Sequence, residues 1–485
     1  VDKAMADAVR DWCRNNGVQG VQIRQDTKRV YPQGNFMGGI LGFTDVDNAG
    51  LWGLELRYND ELTGENGRIL TAKNAWGYDM PTHYQTLVDA VPGNTLTLTI
   101  DAQIQHWLES ALSAAVAEHH VAERGVGIVM DVHTGAVLAM SCQPDYDPNS
   151  PRSLINKEAR DTVNALQGEE RSAALQRAQQ AQWRNKAISD LYEPGSVFKL
   201  ITAAAALDSG ACKATDYFTC AGKISVAGTW FRCANGHIHG SETFARGLAV
   251  SCNPCFIQIG ARLGKERFCD YFAAFGLREP TGIDLPGENR GFIPNSAYFN
   301  KIYNGSWNGV TVISLAIGQG EVLATPLQIA NLSATIANRG YFYVPHVVKG
   351  IQGQAIDSLY TRPHYTTVGR NYYEDVVEGM REAVVRGTCR WGAIPGIEMC
   401  GKTGTAQNPH GEDHSAFMGF APKDNPQIAI AVYVENAGYG ATYGVPIGSL
   451  MMEMYLNRRI APERKWIEKR MLEANTIIDS GITKH

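Results

Sequence analysis

The 485-residue chain lacks a block of basic residues, a long apolar run and a dense set of cysteines. Its formal net charge of −5 is small for this length, so nucleic acid is a poor choice of partner. The longest apolar runs, such as residues 428–434, are far shorter than the roughly 18 residues that a membrane-spanning helix needs. What remains is a globular composition, 44% hydrophobic and 19% charged, in a chain long enough for two or more domains.

The beginning of the chain lacks the features of an N-terminal targeting segment. From Val1 onward there is no initiator methionine, no basic segment and no apolar segment of the kind that a secretory leader contains. We therefore expect a processed or truncated form from which an N-terminal anchor has been removed.

The ten cysteines form neither the CxxC ladder of a zinc ribbon nor the dense framework of a disulfide miniprotein. In residues 218–240, FTCAGKISVAGTWFRCANGHIHG, Cys220 and Cys233 flank a predicted hairpin, and His237 and His239 follow closely. We expect the two cysteines to be near neighbours. Free thiols, a disulfide and a bound zinc are all compatible with this pattern.

The chain divides near Pro92. Residues 1–91 are punctuated by glycine and predict the short strands and turns of a small accessory domain. Beyond this point the alternating residues 95–100 predict a strand, and Asp101 predicts the cap of an amphipathic helix. Residues 92–485 then form the larger domain, in which the segment 153–182 predicts a solvated helical insertion.

Strand signals lie at both ends of this larger domain. Residues 125–141, GVGIVMDVHTGAVLAMS, predict a hairpin. Toward the C-terminus, IEMCGKTGTAQ, HSAFMGFAP and QIAIAVYVENA predict three successive antiparallel strands, followed by a helical stretch over residues 446–473. The pattern predicts an α+β fold in which helices flank both faces of an antiparallel sheet.

The stretch YEPGSVFKLITAAAALDSG, residues 192–210, places Ser196 at the start of a predicted helix, directly after a Pro-Gly turn. Lys199 follows three residues later, so both side chains share one face of the helix and come within hydrogen-bond reach. The serine can act as a nucleophile and the lysine as its base if burial or a second cation lowers the lysine pKa from about 10.4. Alone, this pattern is more often an N-cap with a surface lysine.

Two further motifs change that interpretation. SCN, residues 251–253, and KTGT, residues 402–405, follow in this order along the chain. Together with Ser196 and Lys199 they resemble the three motifs of the penicillin-binding protein and serine β-lactamase superfamily. GIDLPGE, GQGEVLATPLQIA and MGFAPKDNPQIAIAV are similar to the transpeptidase domain of class B penicillin-binding proteins of the division and sporulation type, over roughly residues 92–460.

The segment before this domain resembles the family's pedestal domain, which is of the dimerisation type. This segment is shorter than the family's usual pedestal domain, consistent with truncation. The residues that carry this resemblance are Tyr31, Pro32, Gly50, Gly53, Glu55 and Gly64.

The resemblance implies a serine acyl-enzyme mechanism. Ser196 attacks the penultimate D-alanine carbonyl of a stem pentapeptide, the terminal D-alanine leaves, and Lys199 is the general base. Ser251 relays the proton to the leaving amine, while Asn253 binds the peptide backbone and holds Lys199. Lys402 receives the substrate carboxylate and lowers the pKa of Lys199.

The same resemblance assigns the rest of the KTGT motif. The hydroxyls of Thr403 and Thr405 bind the substrate carboxylate, and Gly404 keeps the strand open to substrate. The backbone N–H groups of Ser196 and Thr405 form the oxyanion hole. This mechanism requires no metal or other cofactor, so a zinc or a disulfide around Cys220 and Cys233 is a separate question.

The resemblance further implies that β-lactams acylate the serine, that a membrane glycosyltransferase is a partner, and that the protein acts on the extracytoplasmic face of the bacterial cytoplasmic membrane. Roles in division, elongation and sporulation stay open. A hydrolase on the same scaffold is an alternative, for which Glu288 offers a carboxylate, but GIDLPGE around it resembles a structural loop. A β-lactam sensor or an idle scaffold is disfavoured by the pedestal-like segment and by the intact motifs.

Overall fold

The computed structural model describes residues 3–21, 28–65, 67–71, 85–118, 124–305, 309–406 and 412–472. Within these ranges the fold is α+β, as the sequence patterns predict. The helices are α1 Lys3–Asn15, α2 Gly38–Leu41, α3 Gly53–Arg57, α4 Asn59–Thr63, α5 Ala102–Glu118, α6 Lys157–Ala165, α7 Gly168–Trp183, α8 Lys186–Ser189, α9 Lys199–Asp208, α10 Phe244–Ala249, α11 Asn253–Leu263, α12 Lys265–Ala274, α13 Ser296–Ile302, α14 Gly309–Ala316, α15 Pro326–Ala337, α16 Arg370–Arg386, α17 Gly444–Asn457 and α18 Lys465–Leu472.

The strands alternate with these helices along the chain. They are β1 Arg68–Thr71, β2 Gln85–Val88, β3 Leu96–Leu98, β4 Gly125–Asp131, β5 Val137–Gln143, β6 Tyr217–Cys220, β7 Lys223–Val226, β8 Thr229–Arg232, β9 Gly240–Thr243, β10 Tyr341–Phe342, β11 Val348–Ile351, β12 Gln354–Ala355, β13 His364–Tyr365, β14 Cys400–Ala406, β15 His414–Ala421 and β16 Ile428–Val434. None of the helices in the described ranges combines the length and the hydrophobicity needed to cross a bilayer.

The central sheet has five antiparallel strands in the order β14, β15, β16, β4, β5. One row of paired residues runs across it from Lys402 through Met418, Ala431 and Ile128 to Met140. The predicted hairpin and the predicted three-strand meander are therefore both confirmed, and they join into one sheet. Because β14 is the edge strand of this sheet, the KTGT motif lies where a further extended chain can approach.

Helices cover both faces of the sheet, as predicted. Ile128 and Met418 on one face belong to a buried cluster that includes residues of α9 and α15. Val129 and Ile430 on the other face belong to a second cluster with residues of α5 and α17. Neighbouring residues on one strand thus enter opposite cores, as the alternation of side chains along a strand requires.

The segment 28–65 packs against the larger domain through carboxylates that accept hydrogen bonds. Glu109 Oε1 accepts a hydrogen bond from the Met37 backbone N–H at 3.0 Å, and Asp145 Oδ2 accepts one from Gly39 at 3.1 Å. Burial raises the pKa of Asp145 to about 7. In the same way, the Tyr58 hydroxyl donates to Asp284 at 3.1 Å, so polar contacts hold the two parts of the chain together.

The smaller predictions along the chain have mixed outcomes. Residues 96–98 form a strand that pairs with β11, and Asp101 Oδ1 accepts hydrogen bonds from the N–H groups of Gln103 and Ile104, as expected of a cap. The predicted C-terminal helical stretch is interrupted, because Arg458 adopts φ +54° after α17. The insertion is helical, as α6 and α7, and largely exposed. The domain boundary between residues 91 and 92 stays a prediction.

Candidate active site

Ser196 lies in a 3₁₀ turn, Gly195–Phe198, that continues directly into α9. Gly195 has φ +57° and donates its N–H to the carbonyl of Gly318 at 2.9 Å. A Cβ atom at Gly318 would lie only 1.9 Å from the Gly195 carbonyl oxygen, so this close approach requires glycine. The serine is thus fixed at the mouth of a helix by a backbone contact that the Pro-Gly signal alone did not reveal.

Lys199 is fully buried and is held by the SCN motif. Its Nζ donates to the Ser251 carbonyl at 2.7 Å, to Ser251 Oγ at 3.2 Å and to Asn253 Oδ1 at 2.6 Å. Within the described ranges no hydrogen bond joins Lys199 to Ser196, although the spacing predicts that one is in reach. Catalytic hydrogen bonds are often long without substrate.

Ser251 adopts the left-handed conformation, with φ +56°. It follows the end of α10, where the Cys252 N–H bonds to the Gly247 carbonyl at 2.9 Å, and it precedes the first residue of α11, Asn253. A non-glycine residue in this conformation costs roughly 1–2 kcal/mol, and such strain is concentrated at functional sites. The turn directs both the carbonyl and the hydroxyl of Ser251 at Lys199.

Lys402 reaches the same serine from strand β14. Its fully buried Nζ donates to Ser251 Oγ at 2.7 Å and to the Thr403 carbonyl at 3.0 Å. The Ser251 hydroxyl therefore accepts hydrogen bonds from two amines, Lys199 and Lys402. Because both of its acceptor positions are in use, its own proton is available for donation to a third group.

Electrostatics favour a neutral amine in this pair. Burial lowers the pKa of Lys199 to about 8. Burial and the nearby Lys199 also lower the pKa of Lys402 well below its ordinary value. Burial therefore gives Lys199 the lowered pKa that a base at this position needs, whereas the repulsion between the two amines acts on the pKa of Lys402.

The KTGT residues take up different environments. A Cβ atom at Gly404 would lie 3.2 Å from both the Pro194 carbonyl and the Val197 side chain, so glycine lets β14 approach the turn that carries Ser196. The Thr403 hydroxyl is buried and donates to Thr388 Oγ1 at 2.8 Å. Sequence reasoning missed Thr388, because no motif marks it. A substrate-binding role for the KTGT hydroxyls thus depends mainly on the half-buried Thr405.

The predicted oxyanion hole is compatible with this geometry. Ser196 is in the first turn of a helical segment, where backbone N–H groups lack partners within the helix. Thr405 follows Gly404 on the strand that packs against this turn. The assignment of the two N–H groups stays a prediction.

A second cluster of reactive side chains lies beside the SCN motif. The ligand atoms of Cys220, Cys233, His239 and Cys252 all lie within 4.8 Å of one another, and Cys233 Sγ is 3.6 Å from His239 Nδ1. The predicted proximity of Cys220 and Cys233 is therefore confirmed. All ten cysteines of the chain fall in the described ranges, and none of them is in a disulfide.

The surroundings of this cluster are polar and closed. Glu242 is 3% exposed, its Oε2 has no hydrogen-bond partner among the described residues, and its Oε1 is 4.0 Å from His239 Nδ1. Hydrogen bonds from the Cys252 thiol and from the Asn253 backbone N–H lower the pKa of Cys233 to about 5. The predicted proximity was limited to Cys220 and Cys233 and did not extend to Cys252, the middle residue of SCN.

Comparison with family models agrees with the three motifs. The model for the penicillin-binding protein transpeptidase domain matches residues 125–453. The model for the penicillin-binding protein dimerisation domain matches residues 10–98. The transpeptidase match alone covers more than half of the chain.

Similar proteins match this chain over most of its length. Stage V sporulation protein D of Bacillus subtilis is 31% identical, over 93% of this chain and 68% of its own length. A crystal structure of Pseudomonas aeruginosa PBP2 in complex with WCK 5153 is 28% identical, with a TM-score of 0.71, and the match covers 91% of this chain and 95% of that one. A structure from a peptidoglycan synthase complex that coordinates polymerization and crosslinking is 28% identical, with a TM-score of 0.74, covering 96% of this chain and 82% of that one. Across four curated relatives, the chain spans between 61% and 68% of the relative's length.

Proposed function

The chain belongs to the class B penicillin-binding proteins, and on that premise we propose that it is a serine-type peptidoglycan D,D-transpeptidase that cross-links stem peptides. The observation that carries the proposal is that Ser251 Oγ links two lysines. It accepts a hydrogen bond from Lys199 Nζ at 3.2 Å and one from Lys402 Nζ at 2.7 Å. Lys199 itself follows Ser196 by three residues. The proposed nucleophile, base, proton relay and carboxylate-binding residue thus meet where the turn of Ser196, the SCN turn and β14 come together, and we call the space between the SCN turn and β14 the substrate groove.

Acylation follows from these positions. In its neutral form Lys199 keeps two of its three hydrogen bonds, so its lone pair takes the proton of Ser196, and the serine oxygen bonds to the carbonyl carbon of the penultimate D-alanine. The N–H groups of Ser196 and Thr405 stabilise the oxyanion that develops. The Ser251 hydroxyl gives its proton to the nitrogen of the terminal D-alanine as the C–N bond breaks, and it regains a proton from the adjacent lysine pair. Lys402 and Thr405 bind the carboxylate of the departing residue.

The second step distinguishes a transferase from a hydrolase. A β-lactamase needs a base that activates water, and Glu288 is the carboxylate that sequence reasoning offers for this. Its Oε1 accepts hydrogen bonds from the Thr281 N–H at 2.7 Å and from Thr281 Oγ1 at 2.6 Å, and its Oε2 accepts one from the Gly282 N–H at 3.0 Å. These hydrogen bonds hold the loop around Glu288 in place, so we assign Glu288 a structural role rather than the activation of water. The group that attacks the acyl-enzyme is then expected to be an acceptor amine.

A kinetic experiment tests this preference. With a thioester analogue of the stem peptide, adding a D-amino acid should accelerate consumption of the thioester, because the acyl group passes to the amine. The L-enantiomer is the matched control and should have little effect. Under the same conditions the penicilloyl adduct should persist for many minutes. Rapid turnover of penicillin together with indifference to the D-amino acid would establish the β-lactamase alternative.

We also propose the setting in which this reaction occurs. Stem pentapeptides and β-lactams acylate Ser196, and a membrane glycosyltransferase supplies the glycan strands on the extracytoplasmic face of the bacterial cytoplasmic membrane. The likeness to a chain from a peptidoglycan synthase complex supports a polymerising partner. The relatives include a stage V sporulation protein and proteins named as peptidoglycan D,D-transpeptidases, and the role of this chain in division, elongation or sporulation stays open.

We further propose that the cysteine and histidine cluster holds one structural zinc ion. Three thiolates and an imidazole are a common structural zinc ligand set. With Zn–S near 2.3 Å and Zn–N near 2.0–2.1 Å, a tetrahedral site places ligand atoms roughly 3.5–3.8 Å apart. The 3.6 Å between Cys233 Sγ and His239 Nδ1 fits this spacing. The buried Glu242 borders the cluster, with its Oε1 at 4.0 Å from His239 Nδ1.

The zinc would supply no step of the reaction. Its ligand Cys252 lies between Ser251 and Asn253, and the Cys233 thiol accepts the Asn253 backbone N–H. Metal binding would therefore fix the turn that orients both residues toward Lys199, which also makes metal binding part of the folding free energy.

The zinc proposal predicts a measurable metal content. Protein purified without chelator should contain about one zinc per chain, and chelation should expose additional reactive thiols and lower the melting temperature, because the ligands then lose a shared partner. His239→Ala should lower the zinc content, whereas Cys13→Ser, at a cysteine outside the cluster, should not. A protein that contains no zinc and whose melting temperature does not change on addition of chelator would contradict the proposal. Thiols that become reactive only after addition of a reductant would indicate a disulfide.

A further inference from the structure

One wall of the substrate groove is a short segment anchored at the cysteine and histidine cluster. After strand β8, the residues between Cys233 and His239 form a 3₁₀ turn, Ala234–Gly236. The Arg232 carbonyl accepts a hydrogen bond from Asn253 Nδ2 at 2.9 Å, so this segment lies directly against the SCN motif. Both of its ends belong to the cluster, which makes it the fixed side of the groove.

The opposite wall is the loop after strand β16, which packs on the KTGT strand. The Tyr439 carbonyl accepts a hydrogen bond from Ser415 Oγ at 3.1 Å. A Cβ atom at Gly440 would lie 2.7 Å from the Gly404 carbonyl oxygen. The backbone of Tyr439 is therefore held by β15, beside the KTGT strand, while its side chain is 51% exposed and lies between two glycines, Gly438 and Gly440.

A hydrogen bond joins the two walls. The Tyr439 hydroxyl donates to Asn235 Oδ1 at 2.9 Å, although the two residues are 204 positions apart in the chain. Asn235 has φ +53°, which presents its side chain from the tip of the 3₁₀ turn. Both side chains are exposed, and a single exposed hydrogen bond has a small net free energy, so the contact can break and re-form.

We propose that Asn235 and Tyr439 form a clasp across the substrate groove, which opens to admit a ligand to Ser196 and sets how readily bulky ligands enter. The clasp rests on the proposed function of the groove, since it controls access to the same nucleophile. Asn235 is the fixed half, because its segment is anchored at both ends. Tyr439 is the moving half, because rotation of one exposed side chain between glycines is enough to release the contact.

The clasp lowers the observed acylation rate by the fraction of molecules in which it is closed. When only a fraction f of the molecules is in the state that can bind, the apparent affinity is the intrinsic affinity multiplied by f. For a bond of ordinary strength, removing it should raise the second-order acylation rate of a bulky β-lactam by roughly two- to tenfold. A β-lactam without a side chain needs less opening and should gain less.

The experiment compares two single variants with their combination. Tyr439→Phe removes only the hydroxyl, and Asn235→Gly removes the acceptor while tolerating the positive φ. Each should raise the acylation rate of a penicillin with a bulky side chain more than that of 6-aminopenicillanic acid. The double variant should equal the singles, because all three lack the same bond. Tyr365→Phe, at a tyrosine that is 74% exposed on β13, is the matched control and should change neither rate.

The outcomes separate the clasp from the function on which it rests. Equal gains in the two singles with no further gain in the double would support the clasp. Unchanged rates, slower acylation, or effects that add in the double variant would overturn it while leaving the transpeptidase proposal intact. A wild-type chain that no β-lactam acylates at Ser196 would overturn the proposed function itself, and the clasp with it.

Discussion

Replacing Ser196 with alanine should abolish covalent labelling by penicillin and leave the protein folded. Among the described residues around the mouth of α9, the Ser251 hydroxyl is held by both Lys199 and Lys402, which leaves the Ser196 hydroxyl to form the ester. The side chain is only partly buried, and the fixed backbone around it comes from Gly195 and Gly318, so losing one oxygen should cost little stability. Intact-mass measurement after incubation with penicillin gives the result directly.

A serine at the other end of the same helix provides the control. Ser209 follows the last residue of α9, and its hydroxyl donates a long hydrogen bond to the Ala206 carbonyl, at 3.4 Å. Ser209→Ala should be labelled at the normal rate and should carry the adduct on the peptide that contains Ser196. Labelling of Ser196→Ala at a normal rate, with an unchanged melting temperature, would show that the nucleophile is a different residue.

The sequence predicted the parts of the fold that depend on local pattern. The strands around the KTGT motif alternate or run continuously with apolar residues and are separated by turn residues, so β14, β15 and β16 could be read directly from them. The helix of Ser196 was also readable, because alanine and leucine follow a Pro-Gly turn. These features are set by neighbours in the sequence, which is why a pattern detects them.

The features that were missed depend on residues far apart in the chain. Thr388 bonds Thr403, and Tyr439 bonds Asn235, yet neither pair has any sequence signal. Spacing suggested that Lys199 lies beside Ser196, but its hydrogen bonds instead go to a turn more than fifty residues later, at Ser251. Which residues meet in such contacts depends on the conformation of the backbone between them. The left-handed turn at Ser251 illustrates this, because serine gives no warning of a positive φ.

At Gly404 the structure gives a second physical reason why the motif has glycine. The motif resemblance assigned it to an open strand edge that admits substrate. In the structure, a side chain at this position would press on the Pro194 carbonyl and on Val197, in the turn that carries the nucleophile. The glycine therefore sets the distance between the strand and the serine, which in turn sets the distance between the two halves of the predicted oxyanion hole.

Replacing Lys199 with alanine should slow acylation by a factor on the order of 10² or more, the usual effect of losing a general base. Lys199→Ala also leaves Asn253 Oδ1 and the Ser251 carbonyl without their donor, at a cost of about 1–3 kcal/mol for each unsatisfied group. Lys199→Met, which fills a similar volume without an amine, separates chemistry from packing. Both variants should be slow, and Lys213→Ala, at an exposed lysine, should be normal.

The pH profile tests whether Lys199 acts as the base rather than as a structural cation. Since burial lowers its pKa to about 8, the amine is mostly charged and inactive below that pH and neutral above it. The wild-type acylation rate should therefore rise by about tenfold per pH unit below pH 8 and level off above it. The residual rate of Lys199→Met should lack this rise, because the titrating amine is gone. A near-normal rate in either variant, or the same rise with pH in Lys199→Met, would assign the base to another group, and Lys402, which contacts the same Ser251 hydroxyl, would be the next residue to test.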